Sequence, residues 1–393
     1  MKKLNLLKQF TIVLLALLTC YSCQKETAIE VKPDNNSEYA ISETLAMEYA
    51  TKAFGTEANK TVKSIDAIPD ENAETAYYII NYESGGFLIL AADRRSAPVL
   101  AYSDKSDFPL DQEVYSNGLV EWLFDTKEKI KAIKTLNGTQ SDFVRVRWSA
   151  LVSGTSLIND RGENTGRLIP EPTGDGDPNC DPYTIIKGPY LNTTWGQGCG
   201  YNANTPLMTC GGQCGRAWTG CVATAMAQVM RYHQFPTSYA WGSMPNGSGT
   251  SATATLMRDI GDEVNMDYDC DGSGASTQNE VASSFTGDFG YASASYNGYN
   301  YQTVKSELNY ARPVILRGGK KNGWWIFSTY SNGHAWVCDG YRRTVYPCYG
   351  STLYYHMNWG WNGSFNGNYA FNNFNPSTHT FNYKRGMVTN IKP

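Results

Sequence analysis

The sequence predicts an α+β protein in which two domains follow an export signal. The chain has 393 residues, enough for two domains with separate cores. Its first third alternates amphipathic helical segments with strand segments, and its C-terminal half collects most of the 27 Tyr, 14 Phe and 10 Trp. A polar connector rich in Gly, Pro and Asp separates the two regions. The net charge of −4 and the lack of a basic run argue against a nucleic-acid partner.

The N-terminus is typical of an export signal. A lysine-containing segment precedes the almost purely apolar residues 10–18, which are too few for a comfortable membrane span. Ser22 and Cys23 resemble the lipobox of bacterial lipoproteins, which implies lipidation of Cys23, with Cys20 as the weaker candidate. The charged residues that follow resemble a signal for the outer cell surface. We therefore expect residues 1–23 to be a lipoprotein signal peptide, and the protein to be a cell-envelope lipoprotein held at the membrane only by its lipid, or to be secreted.

Residues 24–137 predict a small α+β domain. SEYAISETLAMEYATKAFG is typical of an amphipathic helix with Ser42 as its N-cap and with Leu45, Tyr49 and Phe54 on one face. TAYYIINYESGGFLILAADRRSAPVLAYS predicts two strands around a Gly-Gly turn and then a third strand. NGLVEWLFDTKEKIKAIKTL predicts a second amphipathic helix. This domain has no cysteine and no candidate catalytic set.

A linker and a second domain follow. Residues 138–182 show no clear periodicity and end in PEPTGDGDPNCDP, so we predict a polar linker rather than part of a compact fold. Such a segment is readily accessible to proteases. The second domain runs from 183 to 393 and contains the candidate catalytic residues.

The segment TGCVATAMAQVMRYHQFP places a cysteine at the head of a buried helix. Val222, Met226 and Val229 recur at the spacing of a helix that packs into a core, and Pro236 ends the pattern. Cys221 lies in the first turn, where unpaired backbone N–H groups and the helix dipole favour a negative charge. We therefore expect a thiol that ionises more easily than a free one, with a buried core thiol as the alternative.

His334 is the histidine best placed to act as a base for Cys221. It follows a glycine and begins the alternating strand HAWVCDGY, where a side chain can project into a cleft. We expect His233 at a helix end, His356 within a strand and His379 in a polar loop. Cysteine peptidases need a base that is distant in sequence and close in space, and many pairs in a domain of this size would satisfy that. Spacing alone therefore does not single out His334.

The cysteines predict disulfides, because an exported chain leaves the reducing cytoplasm. The C-terminal domain holds six besides Cys221, which allows three bridges: Cys199, Cys210, Cys214, Cys270, Cys338 and Cys348. We predict one bridge within the Cys199–Cys214 region and a second, Cys338–Cys348, that closes a hairpin. A zinc site is the alternative, but Cys210 and Cys214 lack a second pair at metal spacing. No metal and no cofactor are therefore expected.

Several long motifs resemble the streptopain family of papain-like cysteine endopeptidases, which are made as zymogens. The resemblance is carried by TGCVATAMAQVMRYHQFP, GHAWVCDGY, NWGWNGSFNGNYAFNNFNP and the terminal IKP. It implies a two-lobed papain-like catalytic domain with Cys221 as nucleophile and His334 as general base. Gln197 corresponds to the family's oxyanion glutamine. The family's tryptophan-rich motif corresponds to Asn358, Trp359, Gly360 and Trp361. We expect this motif to orient and shield the histidine, through either the Asn358 side chain or the Trp359 ring.

The same resemblance, through GGFLILAADRRSAPVLAYS, makes residues 24–137 an inhibitory propeptide. The partners implied are protein or peptide substrates, the chain's own propeptide, and an activating protease that is either this enzyme or another. Activation is expected to cut within 138–182, where four arginines offer sites to a trypsin-like enzyme: Arg145, Arg147, Arg161 and Arg167. The additional cysteines depart from the family pattern, so the family's substrate preference does not transfer directly.

Two other functions stay open at this point. A papain-like acyltransferase or amidase uses the same dyad on a different acceptor. A surface-anchored binding protein uses its aromatic-rich domain to hold a glycan or another protein, and the Cys–His pair is then incidental. An alkylating probe distinguishes the binding protein, whose cysteine reacts no faster than a free thiol, and a digest with added amine distinguishes the transferase.

Overall fold

The computed structural model describes residues 38–55, 60–112, 115, 117–135, 138–154, 158, 182–210, 214–318, 334–370 and 386–393. The predicted signal peptide and the lipidation candidates Cys20 and Cys23 lie outside these residues, as does His379. In the described part α-helices are mixed with antiparallel strands, which confirms the predicted α+β class.

Seven α-helices and eleven strands are found in the described residues. The helices are α1 (Glu43–Lys52), α2 (Asn117–Thr135), α3 (Asp142–Val152), α4 (Cys221–His233), α5 (Ser251–Glu263), α6 (Val281–Gly287) and α7 (Tyr301–Asn309). The strands are β1 (Val62–Pro69), β2 (Thr75–Tyr82), β3 (Phe87–Ala91), β4 (Val99–Ser103), β5 (Tyr183–Lys187), β6 (Ser293–Gly298), β7 (Val314–Gly318), β8 (His334–Tyr346), β9 (Gly350–Asn358), β10 (Gly367–Ala370) and β11 (Gly386–Lys392). None of these helices combines the length and the apolar character needed to cross a bilayer.

The strands form one antiparallel sheet that continues from the N-terminal domain into the C-terminal domain. The order is β1-β2-β3-β4-β10-β9-β8-β7-β11-β6, and β5 pairs with β8 off this path. The sheet crosses between domains at β4 and β10, where Tyr102 lies opposite Asn368 and Ala101 lies opposite Tyr369. The two domains are therefore joined by backbone strand pairing as well as by side-chain packing.

The N-terminal domain follows the sequence prediction with one addition. Helix α1 begins after Ser42, whose hydroxyl oxygen accepts the N–H of Leu45 at 3.3 Å, and Tyr49 and Phe54 are buried. The predicted strands and second helix are β2, β3, β4 and α2. Strand β1 was not predicted, because this edge strand stays largely half-exposed and shows no clear alternation.

The first part of the predicted linker is a helix. Ser141 caps α3 by accepting the N–H of Val144 at 3.4 Å, and Trp148 and Leu151 join the core of the N-terminal domain. Arg147 is also buried, and its Nη2 donates to the Tyr354 hydroxyl on β9 at 2.8 Å. A charged residue on the buried face breaks the apolar pattern on which sequence prediction depends. The expectation of a structureless segment is therefore wrong for residues 142–152.

The two faces of β8 belong to two different hydrophobic clusters, because side chains alternate along a strand. Ala335 and Val337 pack with the apolar face of α4, and we call this cluster the cysteine side. Trp336 and Cys338 lie on the opposite face, in a cluster that contains most of the N-terminal domain's core. We call this cluster the histidine side. Strand β8 therefore separates the helix that carries Cys221 from the N-terminal domain.

Two disulfides in the C-terminal domain link segments that precede α4 in the chain to each other and to a segment that follows it. Cys199 pairs with Cys214, which confirms the predicted bridge in that region, and Cys210 pairs with Cys270. The predicted Cys338–Cys348 bridge is wrong: Cys338 is free and buried, and Cys348 is disulfide-bonded elsewhere.

The strand geometry explains the error over Cys338 and Cys348. Cys338 lies near the start of β8, opposite Met357. The end of that strand, at Tyr346, is about 26 Å further along at the normal rise per residue. A disulfide needs Cα atoms roughly 4.4–6.8 Å apart, so one hairpin cannot bridge these two positions.

Candidate active site

Cys221 is the first residue of α4, and a glycine makes this placement possible. Gly220 precedes the helix with φ of 88°, a conformation that favours glycine, and a side chain there would collide with Met266. The Cys221 sulfur accepts the backbone N–H of Ala335 at 3.4 Å. This contact brings the head of the helix to the residue next to His334, which is 113 positions away in sequence.

His334 begins β8 and is buried, with Trp336 beside its ring and the main chain of Trp359 near its Nε2. It pairs with Gly318 on β7, and its ring lies parallel to that of Trp336, with the centroids 6.1 Å apart. Its Nε2 lies 3.2 Å from the carbonyl oxygen of Trp359. Both Cys221 and His334 lie within the described residues, and no hydrogen bond joins them. The pair is adjacent in this form of the chain but is not engaged.

Desolvation keeps both members of the pair neutral. The protein around the sulfur raises the pKa of the Cys221 thiol, and the N–H of Ala335 only partly offsets this. Burial lowers the pKa of His334 from 6.5 to about 4, against a smaller opposite effect from the Trp359 carbonyl. The expectation of an easily ionised thiol is therefore wrong for this form, because desolvation outweighs the helix N-terminus.

Gln197, the predicted oxyanion donor, lies beside the segment that leads into α4. Its backbone carbonyl accepts the N–H of Thr219 at 3.1 Å, two residues before Cys221. It is nearly buried, and the neighbouring Gly196 leaves no room for a side chain against Asn362. The structure thus brings Gln197 close to Cys221, while its part in catalysis stays a prediction.

The three residues predicted to orient His334 occupy different positions. Trp359 contacts the imidazole through its main-chain carbonyl, and its ring packs on Trp336 with centroids 5.1 Å apart. The Asn358 side chain points elsewhere, donating to the Thr193 carbonyl at 2.7 Å. Trp361 lies near Trp218, with centroids 6.3 Å apart. Of the three, only Trp359 makes a polar contact with His334.

The remaining described histidines have structural surroundings. His233 lies at the end of α4 with its Nδ1 3.2 Å from the Tyr291 hydroxyl, and burial lowers its pKa to about 4. His356 pairs with the fully buried Asp339 at 2.6 Å. Neither of these residues contacts Cys221 in the described part of the chain.

The N-terminal domain contacts the histidine side through α2. Gly118 on this helix lies against the ring of Trp336, and an added methyl group would overlap that ring. Trp122, one turn later, donates its indole N–H to the Ala370 carbonyl at 3.2 Å and packs edge-on against Tyr369. Tyr369 in turn packs edge-on against Trp359. Helix α2 therefore packs directly on Trp336 and, through Tyr369, indirectly on Trp359, and both of these tryptophans contact His334.

Sequence reasoning missed Trp336 and Gly118. Trp336 reads as an ordinary strand residue, although its position two residues after His334 places it on the same face. In the sequence, Gly118 is a residue that lowers the stability of the predicted helix. The available signal was that a glycine inside a helix often marks a close contact with another segment.

The structure also bears on the zinc alternative. Cys210 and Cys214 are both in disulfides, with different partners, so neither is a thiolate ligand in this structure. Among the described residues, no group of three or more His, Cys, Asp or Glu side chains is arranged to hold a metal ion.

Two family models match the chain, and each of them matches one of its two domains. The Peptidase C10 family model matches residues 195–244 and 237–369, and the Spi protease inhibitor model matches residues 38–130. The second match coincides with the domain that packs on the histidine side.

Individual relatives agree with the family models. Streptopain of Streptococcus pyogenes is 25% identical over 376 residues, covering 80% of each chain. The thiol protease/hemagglutinin PrtT of Porphyromonas gingivalis is 28% identical over 351 residues, or 78% of this chain, which spans only 35% of PrtT. Prointerpain A of Prevotella intermedia matches in structure with a TM-score of 0.53 and 25% identity, over 85% of this chain and 99% of that one.

Proposed function

Because the chain belongs to the Peptidase C10 family of cysteine endopeptidases, we propose that it cleaves peptide bonds in proteins through Cys221, with His334 as its base. The observation that carries this proposal is the contact between the Cys221 sulfur and the N–H of Ala335. It joins the head of a buried helix to the start of a distant strand, the arrangement that a nucleophile and its base require.

The proposed reaction has two steps. The Cys221 thiolate attacks the substrate carbonyl carbon, and the imidazolium of His334 gives its proton to the leaving amine as the C–N bond breaks. A water molecule then gives one proton to His334 while its oxygen attacks the thioester carbon, and the C–S bond breaks to release the acid and restore the Cys221 thiolate beside a protonated His334. The negative oxygen formed in each step is held by the Cys221 N–H and the Gln197 side chain, each donor being worth about 3 kcal/mol.

The N-terminal domain keeps this machinery inactive in the uncut chain. Helix α2 covers Trp336, so that His334 stays dry and neutral, and the thiol has no protonated imidazole to stabilise its anion. A domain tethered in the same chain has a high effective concentration, and its contacts are strengthened here by the β4–β10 pairing. Removal of the domain exposes the histidine side to water.

We place the activating cut after α3 rather than anywhere in 138–182. Arg147 is buried against Tyr354 and is closed to a protease, and Arg145 lies within the helix. Arg161 and Arg167 lie outside the described residues and are the remaining trypsin-type candidates. On this account α3 leaves with the propeptide, and the inhibitory region extends to about residue 158 instead of 137.

Export, and anchoring through a lipid on Cys23, complete the proposal. The lipobox-like Ser22-Cys23 supports an anchor, and the disulfides support an oxidising compartment. The Cys23→Ser variant should lose its membrane association, and it should no longer be labelled by palmitate. Unchanged membrane association of this variant would refute the proposed lipid anchor on Cys23 but not the proposed peptidase activity.

The test is a casein digest with full-length protein. The uncut chain should be nearly inactive and should gain activity as a band beginning between residues 159 and 183 appears. Cys221→Ala and His334→Ala, cut by added trypsin, should lose activity by about 10⁴-fold or more, as other covalent hydrolases do. Substantial cleavage by trimmed Cys221→Ala protein would refute the assignment. Products joined to an added amine would indicate a transferase instead.

Two fragments test the boundary of the inhibitory region. Residues 24–158, which include α3, should inhibit the trimmed enzyme at least about tenfold more tightly than residues 24–137. Equal inhibition by both fragments would mean that α3 adds nothing to the inhibitor.

A further inference from the structure

A glutamine is buried on the face of the catalytic helix that looks toward the active site. Gln228 lies seven residues after Cys221, which places it two turns further along the same face of α4. Thr224 lies between them and packs against Gly360. Gln228 is 0% exposed, in a helix whose other buried residues are almost all apolar. A buried amide costs stability unless every polar atom is bonded.

Every polar atom of this amide is bonded, and the bonds reach two other segments. Its Oε1 accepts the Thr193 hydroxyl at 2.8 Å and the backbone N–H of Trp195 at 3.3 Å. Its Nε2 donates to Oδ1 of Asn358 at 3.2 Å. One side chain thus ties α4 to the segment that leads to Gln197 and to the turn that follows β9.

Asn358 closes the network from the other side. Its Nδ2 donates to the Thr193 carbonyl at 2.7 Å, and its Oδ1 also accepts the N–H of Gly360 at 3.2 Å. The residue between, Trp359, is the one whose carbonyl faces His334. Asn358 therefore holds the turn that presents this carbonyl, although its side chain does not touch the histidine.

We propose that Gln228 is a positioning residue, which fixes the nucleophile, the oxyanion donor and the carbonyl partner of His334 relative to one another. The proposal rests on the function proposed above, since it assumes that Cys221, His334 and Gln197 react with substrate. A closed buried network has one geometry, so the three segments keep their spacing while the propeptide is present and after it leaves. Rate depends steeply on such spacing, because a displacement of about 1 Å can cost about 100-fold.

Two substitutions of similar shape separate positioning from packing. Gln228→Met keeps the length of the side chain and loses all three bonds. Gln228→Glu keeps both acceptor bonds and, as a carboxylate, cannot donate to Asn358. Each should lower kcat by about 10- to 100-fold with KM changed less than about threefold. Each full-length variant is folded first and then cut by added trypsin. The measured rates are divided by the number of active sites, which is the number that reacts with an alkylating probe.

Controls separate this effect from a loss of stability. Val229→Ala removes a fully buried side chain of the same helix from the cysteine side, and should lower the unfolding midpoint while leaving kcat unchanged. Thr193→Val removes only one hydrogen bond of the network, so this variant replaces Gln228→Met in the test if Gln228→Met fails to fold. The double variant that combines Gln228→Met with Asn358→Ala should lose no more activity than the worse of the two single variants, because both residues belong to one network.

The outcomes are distinguishable from failure of the proposed function. If the wild-type chain shows no Cys221-dependent cleavage, the peptidase proposal itself is wrong. If the wild type is active and Gln228→Met, Gln228→Glu and Thr193→Val all keep the wild-type kcat, only the positioning role is overturned. Effects of Gln228→Met and Asn358→Ala that simply multiply would also overturn it, since independent residues behave in that way.

Discussion

The two sides of β8 hold the two halves of the candidate dyad in different ways. On the cysteine side, α4 packs within the C-terminal domain, and the Cys199–Cys214 and Cys210–Cys270 bridges brace the chain around it. On the histidine side, Trp336, Trp359 and Tyr369 share one cluster with the N-terminal domain. Cys221 therefore rests on segments of the C-terminal domain, which remain after the proposed activation, whereas His334 rests partly on the N-terminal domain, which the proposed cut removes.

This difference indicates where inhibition acts. Cys221 packs against the cysteine-side cluster of the C-terminal domain, and its sulfur accepts the N–H of Ala335. The surroundings of His334 change when α2 is removed, because α2 covers Trp336, on which the imidazole stacks. We infer that the propeptide acts mainly on the histidine, and that the cysteine side is already built in the precursor.

Loss of the disulfides should give the largest effect, and it should be equal in both forms of the protein. Replacing Cys210 and Cys270 by serine opens a loop of 60 residues and should cost about 4 kcal/mol of unfolding free energy. Replacing Cys199 and Cys214 opens a loop of 15 residues and should cost about 3 kcal/mol. Urea unfolding of precursor and trimmed protein measures both. A cost that appears only in the precursor would show that the propeptide depends on the cysteine side.

Acid should destabilise the precursor more than the trimmed enzyme. Burial lowers the pKa of His334 to about 4, so between about pH 6.5 and pH 4 the unfolded chain takes up a proton that the folded precursor does not. Stability is complete above this window and falls through it, by about 3 kcal/mol at most. His233 has a similarly lowered pKa but lies on the cysteine side, so it affects both forms equally. Urea midpoints of Cys221→Ala protein at pH 7 and pH 4.5 measure the difference, and identical pH dependence in both forms would contradict it.

A methyl group on α2 should weaken inhibition without weakening the helix. Gly118→Ala places a methyl group against the Trp336 ring, at a cost of about 1–3 kcal/mol, while alanine favours the helix itself. The 24–158 fragment with this change should inhibit trimmed enzyme about tenfold less tightly. Phe124→Ala, on the exposed face of the same helix, is the control and should inhibit normally. Equal inhibition by the Gly118→Ala and wild-type fragments would show that this contact does not matter.

The sequence predicted the parts whose signals are local. The helix headed by Cys221 and the strand headed by His334 both begin where their patterns indicate. Effects of distant residues were not predictable. The helix terminus argued for an acidic thiol at Cys221, but residues brought together by folding raise its pKa.

Two other predictions also failed. Helix α3 was hidden because Arg147 sits on its buried face, with a partner on β9 that is distant in sequence. The Cys338–Cys348 bridge failed because proximity in a hairpin sequence says nothing about distance along the strand. For α3 the deciding partner is far away in the chain, whereas for the cysteines the length of the extended strand decides.

The pKa of His334 tests the central claim most directly. Full-length Cys221→Ala protein labelled at its four histidines can be titrated by NMR before and after the propeptide is cut away. The His334 pKa should be about 4 in the precursor and should rise toward 6.5 in the trimmed protein, because the imidazole gains water. The His233 pKa should stay near 4 in both. A His334 pKa that is the same before and after trimming would contradict the claim that the propeptide acts on the histidine.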